Sequence, residues 1–336
     1  MGRQPALGTL KWCDYCGCFS GRAWGASLRV YLRTSEKVSQ AEKPMKTLRE
    51  TLGEAEKQRV AVGHFNFSEL TVLKAVAGAA HELGVAVVVG VSESEREFLG
   101  VRQAAGLVQA MRDEGLPMFL NADHTHSLEK AVEAARAGFD MIVFDASEKP
   151  MEENIMMTRR AVEEVKSIRP TILVEGEVGY VGSGSEIHEK RPENIRLTEP
   201  KEAKQFVTET QVDLLSPSVG TTHGMLPSMI RGTESKRLDV PRIAAIKDAA
   251  GVPLTLHGGS GTEAEDFRRA IKAGITMIHI NTELRVAWRA GLAEALQKNP
   301  EALAPYRLLP DVVAAVKRVV LQRLELFNGK QLAGRL

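Results

Sequence analysis

Ala137-Gly138-Phe139-Asp140-Met141-Ile142-Val143-Phe144-Asp145 is echoed later in the chain by Ala273-Gly274-Ile275-Thr276-Met277-Ile278-His279-Ile280-Asn281. Each stretch joins an alanine and a glycine to a short, mainly apolar run closed by a polar residue. A short run rich in apolar and β-branched residues is the pattern of a strand. Six other runs share it. Candidate strands are Val60–Phe67, Val85–Ser92, Pro117–Ala122, Asp140–Asp145, Thr171–Glu177, Asp213–Val219, Val252–His257 and Thr276–Asn281. Amphipathic segments separate them, so the chain reads as βα units around a parallel sheet. The echo falls four units apart, which predicts an α/β fold of the TIM (β/α)8 type built from two related halves. No G-x-G-x-x-G follows the first run, which counts against a dinucleotide fold. Among helix starts, Ser127 should cap a helix whose face is Leu128, Ala131, Val132 and Ala135, and Thr262 with Glu265 reads as a capping box.

Working outward, periodicity begins at Met45, where Leu48, Leu52 and Ala55 recur at helical spacing. The barrel is therefore placed at residues 45–299. Residues 1–44 read as a poorly ordered extension, and a chain starting at Met45 is expected to fold and work alike. All three cysteines, Cys13, Cys16 and Cys18, lie in that extension. They fall short of the four ligands of a structural zinc site, and no disulfide framework holds the body, which suits a reducing cytoplasm. Residues 300–336 read as a C-terminal helical tail. Its stripe of Val312, Val313, Val316, Val319, Val320 and Leu324 should pack on the barrel or a neighbouring subunit, and a homodimer or homotetramer is expected. A hydrophobic fraction of 43% and a net charge of +1 describe a globular chain with no field toward nucleic acid or an anionic membrane. Val85 to Val91, the longest apolar run, is too short to span a bilayer.

Barrel chemistry sits at the carboxyl ends of the strands. There the third run leads into Asp123-His124, the sixth into Gly220-Thr221-Thr222-His223-Gly224, and the seventh into His257-Gly258-Gly259-Ser260-Gly261. One histidine at a strand end is ordinarily a hydrogen-bonded rim residue. Three on one rim, His124, His223 and His257, are the donor set of catalytic zinc, with open positions left for substrate oxygens. Asp145 and Glu177 would then support the ligands from behind or serve an alternative metal position, unless they are acids paired with Arg or Lys. The turn at Gly258, Gly259 and Ser260, with its helix start, makes an anion site, joined by Asn281, Thr282 and Gly224. The expected partner is a small molecule carrying a phosphate. The expected cofactor is one catalytic Zn²⁺, with a second cation, divalent or monovalent, left open.

Asp123-His124, V-E-G-E-V-G at 174–179, G-T-T-H-G at 220–224, H-G-G-S-G at 257–261 and N-T-E-L at 281–284 occur in the order found in the class II fructose-bisphosphate aldolases, a family that includes tagatose-bisphosphate aldolases. The chain resembles that family from about Met45 to Gly329. The resemblance implies a small sugar-phosphate substrate and zinc on His124, His223 and His257, with Asp123 handling the proton of the substrate's C4 hydroxyl. It also places Asn66 and Ser92 in the substrate pocket, and gives the loop after the fifth strand a proton-removing glutamate, here Glu186. The family usually has asparagine where this chain has His279, and Met225 to Asp239 is longer and more polar than usual. Fructose or tagatose configuration at C4 stays open. A metal-dependent sugar-phosphate isomerase or epimerase, and a non-catalytic sugar-phosphate-binding relative, are the rival readings. No lysine lies at the strand ends quoted, so a Schiff-base route is set aside.

Overall fold

The computed structural model describes residues 46–182, 184–190 and 195–329. The 1–44 extension and its three cysteines lie outside them. In chain order the elements are α1 (Leu48–Gln58), β1 (Val62–Asn66), α2 (Leu70–Leu83), β2 (Val87–Val91), α3 (Glu93–Leu99), α4 (Val101–Asp113), β3 (Met118–Thr125), α5 (Leu128–Ala137), β4 (Met141–Phe144) and α6 (Met151–Ile168). They continue with β5 (Leu173–Val178), α7 (Pro200–Thr210), β6 (Leu214–Pro217), α8 (Pro227–Ile230), α9 (Val240–Ala250), β7 (Leu254–Leu256), α10 (Ala264–Ala273), β8 (Ile275–Ile280), α11 (Thr282–Lys298) and α12 (Pro305–Phe327). All eight strands pair in parallel and in sequence order, and β1 closes on β8 through His64↔His279, completing the TIM barrel.

The strands sort their side chains by face. Outward residues such as Phe65, Val89, Leu120, Ile142, Val174 and Ile278 join the shell between sheet and helices. Inward residues near the amino ends, Val62, Val88, Phe119, Met141, Val143, Leu173, Leu214 and Met277, form an apolar floor. Leu48, Leu52 and Ala55 of α1 join that floor, so the periodicity at Met45 belongs to a plug that keeps water from the base of the barrel. Thr47 caps α1 through a capping box with Glu50. Further along the strands the interior turns polar, with His64, Asn121, Glu175 and His279 all buried.

The tail is part of the outer ring. α12 packs against α2, α10 and α11, and Val312, Val316, Val320 and Leu324 of the predicted stripe are buried. Ser127 caps α5 as expected, accepting from Lys130 N–H. The capping box at Thr262 does not form. α10 starts at Ala264 after an N-cap at Glu263, and the buried Thr262 Oγ1 has no hydrogen-bond partner among the described residues. A strand-like bridge to Lys236 and a bond from Thr262 N–H to the Gly259 carbonyl hold Thr262 too early in the chain to cap. Among the described residues no helix is long and apolar enough to cross a membrane.

Candidate active site

Consecutive residues of a regular strand face opposite ways, so Asp123 and His124 could not both face one site. β3 resolves this with an irregularity. Its register with β4 shifts between Ala122 and Thr125, and His124 adopts φ +42°, in the left-handed region. The buried Arg96 braces this strained turn, donating to the Val91 carbonyl (2.6 Å), the Asp123 carbonyl (3.2 Å) and Thr125 Oγ1 (3.0 Å).

His124, His223 and His257 converge at the rim, each able to offer a ring nitrogen within 4.8 Å of the others. In each case the outer nitrogen is engaged. His124 Nδ1 lies 3.0 Å from both Asp145 Oδ2 and Glu177 Oε1. His257 Nε2 lies 2.8 Å from Glu175 Oε1, and His223 Nδ1 donates to the Gly182 carbonyl at 2.6 Å. Carboxylates and a carbonyl engage the outer nitrogens and orient the rings, leaving the other nitrogens turned inward for a metal. His124 Nε2 and His257 Nδ1 then face each other at 3.2 Å. A proton shared between them or a divalent ion bound to both satisfies that pair, and with His223 beside them the donor set fits a divalent metal.

The electrostatics agree. Burial opposes charge on His124, but Glu177, Asp123 and the bond to Asp145 outweigh it and pull the imidazole well above its usual range. The negative field that favours a proton there also attracts a metal cation. Burial and the neighbouring imidazoles push His223 down to about 3, so it stays neutral and able to ligate. Burial would raise Asp123, yet His124, His279 and His64 hold its carboxyl well below the ordinary range, as an ionised base.

Asp123 sits in a hydrogen-bonded frame. Asn66 Nδ2 donates to Asp123 Oδ2 (2.8 Å) and to Glu95 Oε2 (3.0 Å). Two carboxylates on one amide nitrogen settle the amide's orientation and present its carbonyl as an acceptor. Glu95 is held in turn by Arg285 Nη2 (2.8 Å), while Arg285 Nη1 donates to the Ser185 carbonyl beside Glu186. His279 Nδ1 lies 3.3 Å from Asp123 Oδ1, and its ring stacks between His64 (3.5 Å) and His257 (3.9 Å). His64 fits only because its neighbour is Gly90, where an added Cβ would come within 2.2 Å of the ring.

Two connected spaces meet these residues. A cleft of about 590 Å³ is lined by Ser92, Asp123, His124, Asp145, Glu186, His223 and Asn281. A tighter recess is lined by Asn66, Gly224, His257, Gly258, Gly259, Ser260, His279, Asn281 and Thr282. Glu177 alone of the predicted site residues lines neither space and sits behind His124. Beyond the anion turn, Gly261 N–H is taken by Glu283 Oε1 at 2.8 Å. Glu186 is exposed on its loop. Sequence reading passed over His64, Glu95, Arg96 and Arg285. Only His64 carried a local signal, as the inward neighbour of Asn66 two residues away.

The family model for fructose-bisphosphate aldolase class-II matches residues 46–331. The chain is 32% identical over 288 residues to a fructose-bisphosphate aldolase of Geobacillus stearothermophilus, covering 84% of this chain and 96% of that one. It is 33% identical over 282 residues to a 6-phospho-5-dehydro-2-deoxy-D-gluconate aldolase of Shouchella clausii, covering 83% and 92%. Among solved structures, the YdjI aldolase of Escherichia coli K12 superposes with a TM-score of 0.70 at 27% identity, covering 86% of this chain and 99% of that chain.

Proposed function

The chain belongs to the class II fructose-bisphosphate aldolase family of metal-dependent lyases, and we propose that it is a zinc enzyme acting on a ketose 1,6-bisphosphate. Fructose 1,6-bisphosphate is the first candidate, cleaved reversibly to dihydroxyacetone phosphate and glyceraldehyde 3-phosphate. The observation that carries the reading is the pair of inward nitrogens on His124 and His257, 3.2 Å apart, with His223 beside them. Neutral imidazoles select zinc or cobalt over magnesium or calcium. A divalent ion held there supplies Lewis-acid polarisation of the substrate carbonyl.

The chain's own groups do the rest. Asp123, kept ionised and oriented by Asn66, takes the C4 hydroxyl proton as the C3–C4 bond breaks. Glu186 returns a proton to C3 of the ketone-derived fragment, and removes it in the condensation direction. Asp145 and Glu177 orient His124, or serve a second metal position. Gly258, Gly259, Ser260, Asn281, Thr282 and Gly224 hold a phosphate in the recess, and Ser92 lines the wider cleft. We also read the protein as a cytoplasmic homodimer or homotetramer.

A second reading, cleavage of another ketose phosphate such as tagatose 1,6-bisphosphate or the substrate named for the Shouchella clausii relative, is favoured by His279, whose imidazole reaches the recess. A coupled assay across these ketose phosphates decides between the two. Chelation should abolish cleavage, and Zn²⁺ or Co²⁺ should restore it. His223→Ala should lose metal and turnover together. Full activity in protein shown metal-free by elemental analysis overturns the three-histidine centre.

A further inference from the structure

The connection from Met225 to Asp239 delivers one residue to the back of the site. Lys236 is 2% exposed, and its ammonium group donates to three backbone carbonyls: Thr222 at 2.6 Å, Gly224 at 2.6 Å and Gly258 at 2.9 Å. Three acceptors call for three N–H donors, which only the protonated amine has. The three carbonyls belong to the residues on either side of His223 and to the residue after His257. Gly258 makes the convergence possible, because an added Cβ would come within 2.5 Å of the Thr222 carbonyl. The backbone of Lys236 is fixed by its bridge to Thr262 and by its N–H bond to the Gly261 carbonyl.

A trans peptide points its N–H opposite to its C=O. Carbonyls turned toward Lys236 therefore send the next N–H groups the other way. His223 N–H meets the Val181 carbonyl and Met225 N–H meets the Glu186 carbonyl, at 2.8 and 2.9 Å, tying the loop that carries Glu186. The N–H of Gly259 likewise points away from Lys236, in the segment that lines the recess. A small cage of inward carbonyls is also the geometry that replaces the water shell of an alkali-metal ion.

We propose that Lys236 is a built-in monovalent cation. Its ammonium fills a carbonyl cage that would otherwise take a potassium or sodium ion, and as a positioning residue it sets the His223 and His257 segments and the phosphate recess. This rests on the recess and the three imidazoles being the site proposed above. A consequence is that the protein is indifferent to alkali cations, whereas a chain with the cage emptied depends on them.

The parent, Lys236→Ala and Lys236→Met, each loaded with zinc, are compared in potassium, ammonium and tetramethylammonium chloride at equal ionic strength. Cleavage, zinc content, inorganic phosphate binding and thermal melting are read. The parent should be equal in all three salts. Lys236→Ala should lose about 10²-fold in kcat/KM in tetramethylammonium, the usual effect of a misplacement near 1 Å, and regain at least tenfold in potassium or ammonium. Its melting temperature should rise in those two salts alone. Lys236→Met, which fills the cage without charge, should show the loss and no recovery. A parent stimulated by potassium overturns the proposal. So does an alanine variant with parent activity in tetramethylammonium, or one unfolded or equally impaired in every salt. Because melting and phosphate binding need no turnover, a wrong substrate assignment leaves those outcomes readable.

Discussion

At matched positions of β4 and β8, Met141 and Met277 both fill the apolar floor, and Ile142 and Ile278 both face the outer helices. Asp145 and Asn281 both follow the last strand residue at the rim. The two strands part at the inward position between. Val143 stays in the apolar floor, while His279 reaches into a stack with His64 and His257. Their targets also differ: Asp145 on the β4 side holds His124, and His279 on β8 faces Asp123. The bulged pair Asp123-His124 is thus served by both halves, one supporting the metal ligand and the other the base. A repeated backbone can carry unlike chemistry because one inward side chain per strand is enough to redirect it.

The largest expected effect comes from removing the bases themselves, Asp123, which the β8 side serves, and Glu186 on the loop after β5. Asp123→Ala should lose about 10²–10⁴-fold in cleavage, the usual worth of a positioned acid or base. It should still exchange a proton of dihydroxyacetone phosphate with solvent, whereas Glu186→Ala should lose that exchange, and both should retain metal. Exchange at the parent rate in Glu186→Ala, followed by NMR in deuterium oxide, would move the role to His188 or Glu189 on the same loop.

The β4 side should fail differently. Asp145→Ala releases His124 Nδ1 and is expected to weaken zinc affinity about 10–100-fold, with turnover recovering at saturating zinc. Unchanged affinity in a competitive chelator titration would show that Glu177 alone orients the ring.

A smaller effect concerns stability. Burial holds His64 down to about 4 against an ordinary 6.5. Between those values the unfolded chain takes up a proton that the folded one refuses, so stability should fall as pH drops from about 6.5 toward 4. His64→Asn should flatten that slope in thermal melts of the zinc-loaded protein. An unaltered slope would assign it to other groups, His223 first among them.

The smallest effect would sharpen the contrast at the diverging position itself. His279→Asn should change the ratio of kcat/KM between ketose phosphates by about tenfold, the scale of one hydrogen bond, with metal content unchanged. An identical preference profile would make the imidazole silent in substrate choice.

Most of the frame was legible because its signals are local. Each predicted strand forms within two residues of its expected ends except β3, which runs three residues on, through the bulge to Thr125. The failed cap at Thr262 marks the limit of such reading. Thr262 and Glu265 have the right spacing, but a partner 26 positions away in sequence, Lys236, holds Thr262 out of place.

Sequence by itself determined the barrel, the rim carrying the three histidines, and the glycine-rich turn beside them, because burial patterns and turn chemistry are written within a few residues. Tertiary structure alone decided that Asp123 and His124 share a face, since that needs the left-handed turn and the Arg96 brace. It alone joined Arg285 to Glu95, 190 positions apart, and stacked His64 on His279 across the closing strand pair. It alone brought the carbonyls of Thr222, Gly224 and Gly258 together around Lys236. Such contacts are made by ring closure, which brings the ends of distant strands within hydrogen-bond reach, and no local period encodes which ends will meet.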